Sequence, residues 1–430
     1  MTSNQSPKEL YVWIWLQGET DPVVAGKLTA QGTTLIFNYG RSYLGRDNAI
    51  PIYDAELPLR QGTIPLLPGL SMPGCLRDAS PDAWGRRVIL NRRFGKTASE
   101  IDPGTIDELS YLIESGSDRI GMLDFQRSPT EYEPRCAAGA PLEELIAAAE
   151  LIERGVPLPP DLAQALQHGT SIGGARPKSL VESNSHKYIG KFSTSTDLYS
   201  VVKAEYIAMR LASISGLNVA PVSLLNVAGK DVLMVTRFDR ITTSAGWQRK
   251  GIVSALTMLQ LDEMMARYAS YHDLANLVRE KFTDASGTLR ELFSRIVFNI
   301  LIGNTDDHAR NHAAFWNGRM LQLTPAYDIC PQTRHGRTTS QAMWIAGPDN
   351  SSRIVTCLKA APHFLLHEGE AVVIVERQID CIEDNWLEVC DEATLSEVDR
   401  NLLWRNQVFN PFAFEGLDDG PLAVLADRYR

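Results

Sequence analysis

One stretch of this sequence, residues 288–328, constrains the fold more than any other. It begins with a run, 292–301, in which apolar residues recur at helical spacing, and the run ends at Gly303. A polar loop, 304–311, follows directly, and the dipeptide Asn317-Gly318 then indicates a tight turn between two short strands. The sequence therefore predicts a polar, acidic loop held between a long amphipathic helix and a hairpin.

The loop carries oxygen ligands at a spacing that suits phosphoryl transfer. Asp306 precedes Asn311 by five residues, which is the spacing of the catalytic aspartate and the metal-binding asparagine in protein kinases. Asp328 follows the hairpin, where a second metal carboxylate of such a site would lie. Because Mg2+ prefers hard oxygen ligands, we predict that Asp306 is the base and that Asn311 and Asp328 hold the metal. We interpret the neighbouring Asp307 as a solvated loop acid rather than a metal helper.

A cation for the phosphates is predicted on a strand upstream of this loop. Lys191 lies in the strand-like run 187–192, and alternation places it on the same face as Ile189. Glu205 lies in the helical run that follows, at a separation suited to the lysine–glutamate ion pair of kinases. The alternative is two unrelated surface charges, since exposed Lys and Glu are common.

A glycine-containing loop before that strand is a candidate cover for the phosphates. The segment 171–178 reads SIGGARPK, and adjacent glycines let backbone N–H groups approach an anion closely. The segment matches neither the Walker A pattern nor the Rossmann fingerprint. A Gly-Gly pair is also common in ordinary turns, so both interpretations stay open from the residues alone.

Composition and charge limit the class of protein. At 430 residues the chain exceeds what one hydrophobic core usually organises, and its net charge of −10 argues against a general nucleic-acid binder. Without a bilayer-length apolar run or a signal-peptide pattern, we expect a cytoplasmic protein that does not contact a membrane. The six cysteines are interpreted as reduced and mostly structural. A basic run is interpreted as the solvated face of a helix: Arg86, Arg87, Arg92, Arg93 and Lys96.

The order of predicted elements indicates an α+β fold in which strands precede helices. Strand-like runs and turns fill residues 9–70, and a helix is predicted to start at Ser80-Pro81-Asp82, with proline at its first position. After residue 238 the pattern is mostly helical apart from the hairpin. We divide the chain into a β-rich subdomain, 1–125, a part with the glycine loop and the lysine strand, 126–240, and a helical C-terminal lobe, 241–430.

Several motifs, taken together, resemble the signature series of the HipA family. They are GTSIGGARPKS, a lysine strand ending in KF, KAEY followed by GLNVAPV, VTRFDR, FNILIGNTDDHARN and LTPAYDICP, and LRDASPDAWGRR resembles the N-terminal region of that family. The resemblance covers the whole chain. It implies a bacterial serine/threonine kinase of a type II toxin–antitoxin system, with a protein-kinase-like bilobal fold that has a mixed β-rich N-terminal lobe and a mostly helical C-terminal lobe.

The resemblance also implies roles for individual residues. Asp306 would be the catalytic aspartate, and Asn311 and Asp328 would hold magnesium. Ser171 matches the serine that such kinases autophosphorylate, although it would also suit the cap of a turn. The residues that would bind nucleotide, with the adenine near Thr236 to Phe238, are Gly173, Gly174, Ala175, Arg176, Pro177, Lys178, Lys191, Thr236, Arg237, Phe238, His308, Ala309, Arg310, Asn311, Tyr327 and Asp328.

One departure from the family pattern concerns the glycine loop. Family members often carry Gln-Glu where this chain has Arg176-Pro177. Proline stiffens the backbone and removes an N–H donor, so exchange or self-phosphorylation of this loop would differ.

Cofactors and partners follow from the same resemblance. It implies ATP and Mg2+ as cofactors, an aminoacyl-tRNA synthetase as the protein substrate, and a small helix-turn-helix antitoxin, HipB-like, that links the kinase to operator DNA. A phosphate on Ser171 would repel nucleotide by its charge. Two other functions stay open, namely a small-molecule kinase of the aminoglycoside or choline type and a catalytically silent corepressor scaffold.

Overall fold

The structure, a computed structural model, describes most of the chain. The described residues are 6–95, 101–136, 140–167, 169–172, 174–183, 185–194, 197, 199–334, 336–419 and 421–429. Within them, every helix is too short or too polar to cross a lipid bilayer.

Strands dominate the early part of the chain and helices the later part. The strands are β1 Glu9–Ile14, β2 Val23–Gln31, β3 Thr34–Tyr39, β4 Leu123–Gln126, β5 Lys178–Glu182, β6 Lys187–Phe192, β7 Val222–Val227, β8 Lys230–Thr236, β9 Arg240–Thr243, β10 Gly246–Arg249, β11 Gly251–Ser254, β12 Ala313–Trp316 and β13 Leu321–Leu323. The α-helices are α1 Arg41–Leu44, α2 Gly74–Arg77, α3 Ala83–Phe94, α4 Glu108–Glu114, α5 Leu142–Glu153, α6 Pro160–Gln167, α7 Val201–Ile214, α8 Ala255–Met258, α9 Tyr271–Lys281, α10 Ala285–Ile302, α11 Ile354–Ala360, α12 Glu368–Glu392, α13 Glu397–Leu403 and α14 Ala423–Tyr429. Short 3-10 helices occur at Pro103–Thr105, Glu263–Tyr268, Ala361–Phe364 and Pro411–Phe414.

The chain divides into two compact units, and both are discontinuous in sequence. The first unit comprises Met1–Thr196, Leu225–Val253 and Phe315–Arg319, and the second comprises Asp197–Leu224, Ser254–Ala314 and Met320–Arg430. The first unit is rich in strands and the second is mostly helical, so the predicted α+β class is confirmed.

The first unit is built around two four-stranded sheets. One has the order β3-β2-β1-β4, and its neighbouring strands are all antiparallel. The other has the order β5-β6-β8-β7, in which β6 pairs antiparallel with β5 and with β8. Lys191 therefore lies on the central strand β6, directly opposite Lys178 of β5 and Leu233 of β8.

Two helices cover the second sheet with an apolar core. Trp84 and Val88 of α3 belong to the same buried cluster as residues of α5 and as Phe192 and Val232 of the sheet. The indole N–H of Trp84 donates to the Lys178 carbonyl at 3.0 Å. This burial fixes the start of β5, and with it the end of the glycine loop.

The predicted start of α3 was wrong by a few residues. The helix begins at Ala83 with Asp82 as its N-cap, so Ser80 and Pro81 precede the helix. The Asp82 carboxylate does not cap its own helix and instead accepts a hydrogen bond from the Gly174 backbone N–H. An N-cap aspartate usually accepts a hydrogen bond from the first turn of its own helix, but here the Asp82 carboxylate is used in a tertiary contact instead.

The interpretation of the basic run as a solvated helix face was also wrong for Arg86 and Arg92. Two glutamates of α4 pair with three of the arginines; Arg86 and Arg92 are half-buried, Arg87 and Arg93 are exposed, and Lys96 lies outside the described residues. The pairs are Arg86–Glu108 at 2.7 Å, Arg92–Glu114 at 3.1 Å and Arg93–Glu114.

A hairpin after residue 238 was not predicted. Strands β9 and β10 pair antiparallel from Arg240 opposite Arg249 to Thr243 opposite Gly246. The strands have four residues each and carry threonine, arginine and glutamine, so they lack the apolar alternation that would distinguish them from a loop.

The second unit is organised around α10, whose long apolar run was predicted. Its buried residues include Leu292, Phe293, Ile296 and Val297, and α9, α11 and α12 pack against it. The helix ends at Gly303, which adopts a left-handed conformation with φ +77°. The predicted hairpin follows, with φ +92° at Gly318.

Replacing Gly303 with alanine is expected to destabilise the protein by about 2–4 kcal/mol. An alanine Cβ would lie 2.5 Å from the Gln407 carbonyl oxygen, and the left-handed backbone adds its own strain. Urea unfolding of both proteins measures the loss. Gly216→Ala is the matched control, because Gly216 has φ +86° but open space around its Cβ position, and it should cost about 1 kcal/mol. Equal losses in the two variants would contradict the predicted clash.

Candidate active site

The loop after α10 is folded tightly around the backbone of Asp306. The Asp306 carbonyl accepts hydrogen bonds from the His308 N–H at 2.9 Å and from the Asn311 side-chain amide at 3.1 Å. The Asn311 N–H donates to the His308 carbonyl at 2.8 Å. Asp306 is exposed and Asn311 is buried. The loop thus exposes the Asp306 carboxylate to solvent. It also fixes the side-chain amide of Asn311 through its N–H group, so that the amide oxygen remains available to coordinate a cation.

Asp307 is a buried structural carboxylate, so its interpretation as a solvated loop acid was wrong. It is 3% exposed and accepts hydrogen bonds from the Asn299 side chain at 2.7 Å and from the Tyr271 hydroxyl. The imidazole Nε2 of His312 lies 3.0 Å from its other oxygen and 3.0 Å from the Tyr271 hydroxyl. The partners come from α9, α10 and the start of the hairpin, which are distant in sequence, and a local pattern does not reveal them.

Adjacent carboxylates in this loop have pKa values shifted in opposite directions. Burial favours a raised pKa for Asp307, but His312 and the Tyr271 hydroxyl outweigh it and hold that pKa below its ordinary value. Partial burial raises the pKa of Asp306, and the negative charges of Asp328 and Asp307 raise it further against an opposing effect of His308. A carboxylate that holds its proton more tightly is better suited to proton transfer.

Neutralising Asp328 is expected to lower the pKa of Asp306, because a like charge disfavours ionisation. Adding Mg2+ to the wild-type protein should lower that pKa as well, since a bound divalent cation stabilises the neighbouring carboxylate. Carbon-13 NMR titration of the Asp306 carboxyl in wild type and in Asp328→Asn measures both shifts. A higher pKa in Asp328→Asn would contradict the electrostatic account.

Asp328 adopts an unusual backbone conformation beside the loop. Its φ is +61°, in the left-handed region that non-glycine residues rarely occupy. Its neighbour Tyr327 donates a hydrogen bond from its hydroxyl to the Arg310 carbonyl at 2.8 Å, and the Ala326 N–H donates to the Asn218 carbonyl at 2.7 Å. Strain of this kind is retained where the surrounding structure requires it. Tyr327 thus ties this segment to the loop, and the charge of Asp328 acts on Asp306, so the structure places Asp328 near the loop that carries Asp306 and Asn311.

The remaining loop residues are held by the segment before α9. The Leu256 N–H donates to the Ala309 carbonyl at 3.2 Å, and Arg310 forms an ion pair with Glu263 at 2.8 Å. Nδ1 of His308 is buried and has no hydrogen-bond partner among the described residues. These contacts fix the loop while leaving a buried polar atom that a ligand would satisfy.

The glycine loop lies in the first unit, and Gly173 falls outside the described residues. Gly174 has φ +103°, its N–H donates to Asp82, and the Nζ atom of Lys178 occupies the position that a Cβ on this residue would take. Lys178 is 3% exposed. Ser171 is 1% exposed, and its hydroxyl oxygen has no hydrogen-bond partner within the part of the chain that the structure describes.

Along the rest of that loop, exposure falls toward the strand. Ala175 is exposed, Arg176 is half-buried and Pro177 is buried. The Pro177 carbonyl accepts a hydrogen bond from the Phe192 N–H at 3.0 Å. Pro177 thus belongs to the sheet edge, which is consistent with a stiff end to the loop.

The predicted lysine and glutamate lie in different units. Lys191 is half-buried on β6, and Glu205 is 3% exposed on α7. A carboxylate this buried requires compensation, so the alternative of two surface charges fails for Glu205. Their pairing stays a prediction.

The segment predicted to contact adenine contains a side chain that is already engaged. The Arg237 guanidinium is buried and donates to Asp239 at 2.8 Å, to Asp118 at 3.1 Å and to the Arg119 carbonyl at 2.7 Å. The backbone N–H of Arg237 donates to the Lys187 carbonyl at 2.8 Å. Because the guanidinium is engaged in these bonds, any contact of Arg237 with a nucleotide would have to be made by its other atoms.

Arg237 is part of a buried cluster that the sequence did not indicate. We define the arginine–aspartate cluster as Asp118, Lys187, Arg237, Asp239 and Arg240. Asp118 lies 2.7 Å from Lys187 and 2.8 Å from Arg240, and Arg240 lies 2.8 Å from Asp239. Asp118 lies 119 residues from Arg237 and 122 from Arg240, so only the folded structure shows the cluster together. Thr236 and Phe238, which flank Arg237, are half-buried.

The oxygen atoms of Asn311 and Asp328 suit Mg2+ better than they suit a metal ion that is coordinated by protein side chains alone. Among the described residues, no group of three or more His, Cys, Asp or Glu side chains is arranged to hold a metal ion. Mg2+ typically uses one or two protein carboxylates or amides and takes its other ligands from water and substrate phosphates. Asn311 and Asp328 fit that requirement.

Comparison with known proteins identifies the family to which these elements belong. Residues 170–386 match the HipA-like C-terminal domain, and residues 14–126 match the HipA N-terminal domain. A Sinorhizobium fredii protein named as a provisional kinase, Y4mE, is 24% identical over 68% of this chain and 71% of its own length. The serine/threonine-protein kinase toxin HipA of Shewanella oneidensis is 25% identical over 37% of this chain and 42% of its own length.

A solved structure shows the same fold over nearly the whole chain. It is the Shewanella oneidensis toxin–antitoxin system of HipA, HipB and operator DNA, in which one chain matches with a TM-score of 0.65 and 18% identity. The match covers 92% of this chain and 93% of that chain. Since the C-terminal domain model alone spans half of the sequence and the N-terminal model spans much of the rest, this protein belongs to the HipA family.

Proposed function

We propose that this protein is a serine/threonine-protein kinase that uses ATP and Mg2+. The observation that carries the proposal is the grouping of Asp306, Asn311 and Asp328, with Asp328 held in a strained left-handed conformation beside the loop. Its family membership and the kinase names of its relatives support the same activity.

In the proposed reaction, Asp306 accepts the proton of the attacking hydroxyl. That oxygen forms a bond to the γ-phosphorus while the bond from phosphorus to the bridging oxygen of ADP breaks. Mg2+ held by Asn311 and Asp328 would neutralise charge on the phosphate oxygens. The rigid loop around the Asp306 carbonyl keeps the base in place, so little reorganisation is needed.

The nucleotide site is completed, in this proposal, by the residues that the family resemblance implies. They are Gly173, Gly174, Ala175, Arg176, Pro177, Lys178, Lys191, Thr236, Phe238, His308, Ala309, Arg310 and Tyr327, together with the backbone of Arg237 and an ion pair between Lys191 and Glu205. Ser171 is the proposed autophosphorylation site. Because its hydroxyl is buried, it becomes a substrate only when the loop leaves this position.

We further propose a growth-inhibiting role controlled by a partner. The related Shewanella structure contains HipA, HipB and operator DNA, which supports a helix-turn-helix antitoxin as the partner of this chain. An aminoacyl-tRNA synthetase is the proposed protein substrate, on the family resemblance alone. Cytoplasmic localisation is part of the same proposal.

Two experiments test these proposals separately. Purified wild type and Asp306→Ala are incubated with radiolabelled ATP and host lysate, and separately with a panel of small alcohols; labelling of a protein by wild type alone supports a protein kinase. Labelling of an alcohol instead would replace it with a small-molecule kinase. Both proteins are then expressed without antitoxin, and equal growth would refute the toxin role while leaving the kinase result intact.

A further inference from the structure

Two arginines beside a phenylalanine in the second unit have buried donors without partners. The guanidinium carbons of Arg334 and Arg353 lie 5.9 and 5.8 Å from the centre of the Phe412 ring. Nε and Nη2 of Arg334 and Nε of Arg353 are buried and have no hydrogen-bond partner among the described residues. Buried guanidinium donors are normally satisfied, because an unpaired one costs free energy.

Among the described residues no carboxylate bonds to these donor atoms, although Asp349 lies close enough to Arg353 to feel its charge. Burial lowers the pKa of Arg334, and no carboxylate raises it again. Two acidic side chains, Glu415 and Asp418, line the groove beside Phe412, and Glu415 pairs with Arg337 at 2.5 Å. The buried Arg295 of this unit does have an acidic partner, Glu291 at 2.9 Å.

We propose that Arg334 and Arg353 form an oxyanion site that binds a phosphate monoester or inorganic phosphate. An arginine that stacks on an aromatic ring directs its N–H groups outward in its own plane, where they suit the oxygens of a phosphoryl group. Phe412 supplies that ring, and it also lines an open groove with Arg405 and Asn410. Phe412 therefore contacts both this open groove and the two guanidinium groups.

The proposed site is connected to the segment that carries Asp328. Arg334 follows Asp328 by six residues. Between them, the Pro331 carbonyl accepts a hydrogen bond from the Tyr199 hydroxyl at 2.8 Å, and the Gln332 N–H donates to the Gly303 carbonyl at 3.0 Å. An anion on Arg334 would hold the far end of this short segment. Binding should therefore slow amide hydrogen exchange in residues 332–334.

The test measures binding of inorganic phosphate to the full chain by phosphorus-31 NMR titration. Arg334→Gln and Arg353→Gln should each weaken the affinity by about tenfold or more, because each removes charged donors. Arg290→Gln is the matched control, since Arg290 is an exposed arginine of the same unit that pairs with Glu370; it should bind as wild type does. Lys191→Ala should also retain this binding, which separates the site from the proposed nucleotide site.

Two further measurements keep the proposal falsifiable. Arg334→Met should not lower the melting temperature in phosphate-free buffer, because it removes an uncompensated buried charge, and it should abolish the stabilisation that phosphate gives the wild type. If Arg334→Gln fails to fold, Arg334→Lys keeps the charge without the planar fork and should still bind phosphate more weakly. Repeating the titration with O-phosphoserine distinguishes a phosphorylated side chain from free phosphate as the source. Phosphate binding that is absent in wild type, or unchanged in both arginine variants, would overturn the proposal.

Discussion

Replacing Asp306 with asparagine is expected to lower phosphoryl transfer by about 100- to 10,000-fold, the usual contribution of a positioned general base. The free energy of unfolding should stay the same or rise, because partial burial, together with the charges of Asp328 and Asp307, raises the pKa of Asp306 and disfavours its charged form. Incorporation of radiolabelled phosphate measures the first effect, and urea unfolding measures the second. Asparagine keeps the size of the side chain, so a lost activity cannot be attributed to a cavity.

The neighbouring Asp307→Asn variant is the control for this result. Asp307 accepts hydrogen bonds from Asn299 and Tyr271. In asparagine an NH2 group replaces one of the two carboxylate oxygens, so a donor would face another donor where an acceptor is needed. We expect this variant to lose about 1–3 kcal/mol of stability. Full activity in Asp306→Asn would remove this residue from the proposed mechanism, whatever happens at Asp307.

Replacing Asp118 with alanine is expected to destabilise the protein by about 3–5 kcal/mol. The side chains of Arg237 and Arg240 are each 1% exposed, and the substitution would leave both without one of their carboxylates. Burial alone would raise the pKa of Asp118, but the two arginines and Lys187 hold it well below its ordinary value of 3.8. The stabilisation by Asp118 is therefore present above that ordinary value and is lost as the pH falls through the lowered pKa.

Urea unfolding at several pH values checks both parts of this prediction. Glu9→Ala is the matched control, because Glu9 pairs with Lys27 at 2.9 Å but both side chains are exposed; it should change stability by less than about 1 kcal/mol. A loss at Asp118 no larger than the loss at Glu9 would show that the arginine–aspartate cluster does not stabilise the fold.

Elements with strong local signals were predictable from the sequence. The apolar periodicity of α10 and the glycine at its end correctly predicted a helix that stops at Gly303. The Asn-Gly turn correctly predicted the hairpin before Asp328. The hairpin β9–β10 was missed because its strands are short and polar, and the start of α3 was misplaced because Asp82 bonds to Gly174 instead of its own helix.

The residues of the candidate site could be selected from the sequence, but the contacts that hold them in place could not. Asp306, Asn311 and Asp328 could be chosen by type and spacing, since they lie close together along the chain. The burial of Asp307 depends on Tyr271, 36 residues away. The engagement of Arg237 by Asp118 spans 119 residues. Contacts at such separations leave no local pattern, so sequence reasoning treated one residue as solvated and the other as a nucleotide contact.

The separation of Asp118 from Arg240 also has a consequence for how the chain matures on the ribosome. The two residues are 122 positions apart, so at 5–20 residues per second Arg240 is synthesised roughly 6–24 s after Asp118. During that interval the nascent first unit carries the Asp118 carboxylate without Arg237 and Arg240, which pair with it in the folded protein. The first unit also includes Phe315–Arg319, which emerge later still. We therefore expect the first unit to complete its folding late, with nascent-chain chaperones covering its exposed apolar faces until then.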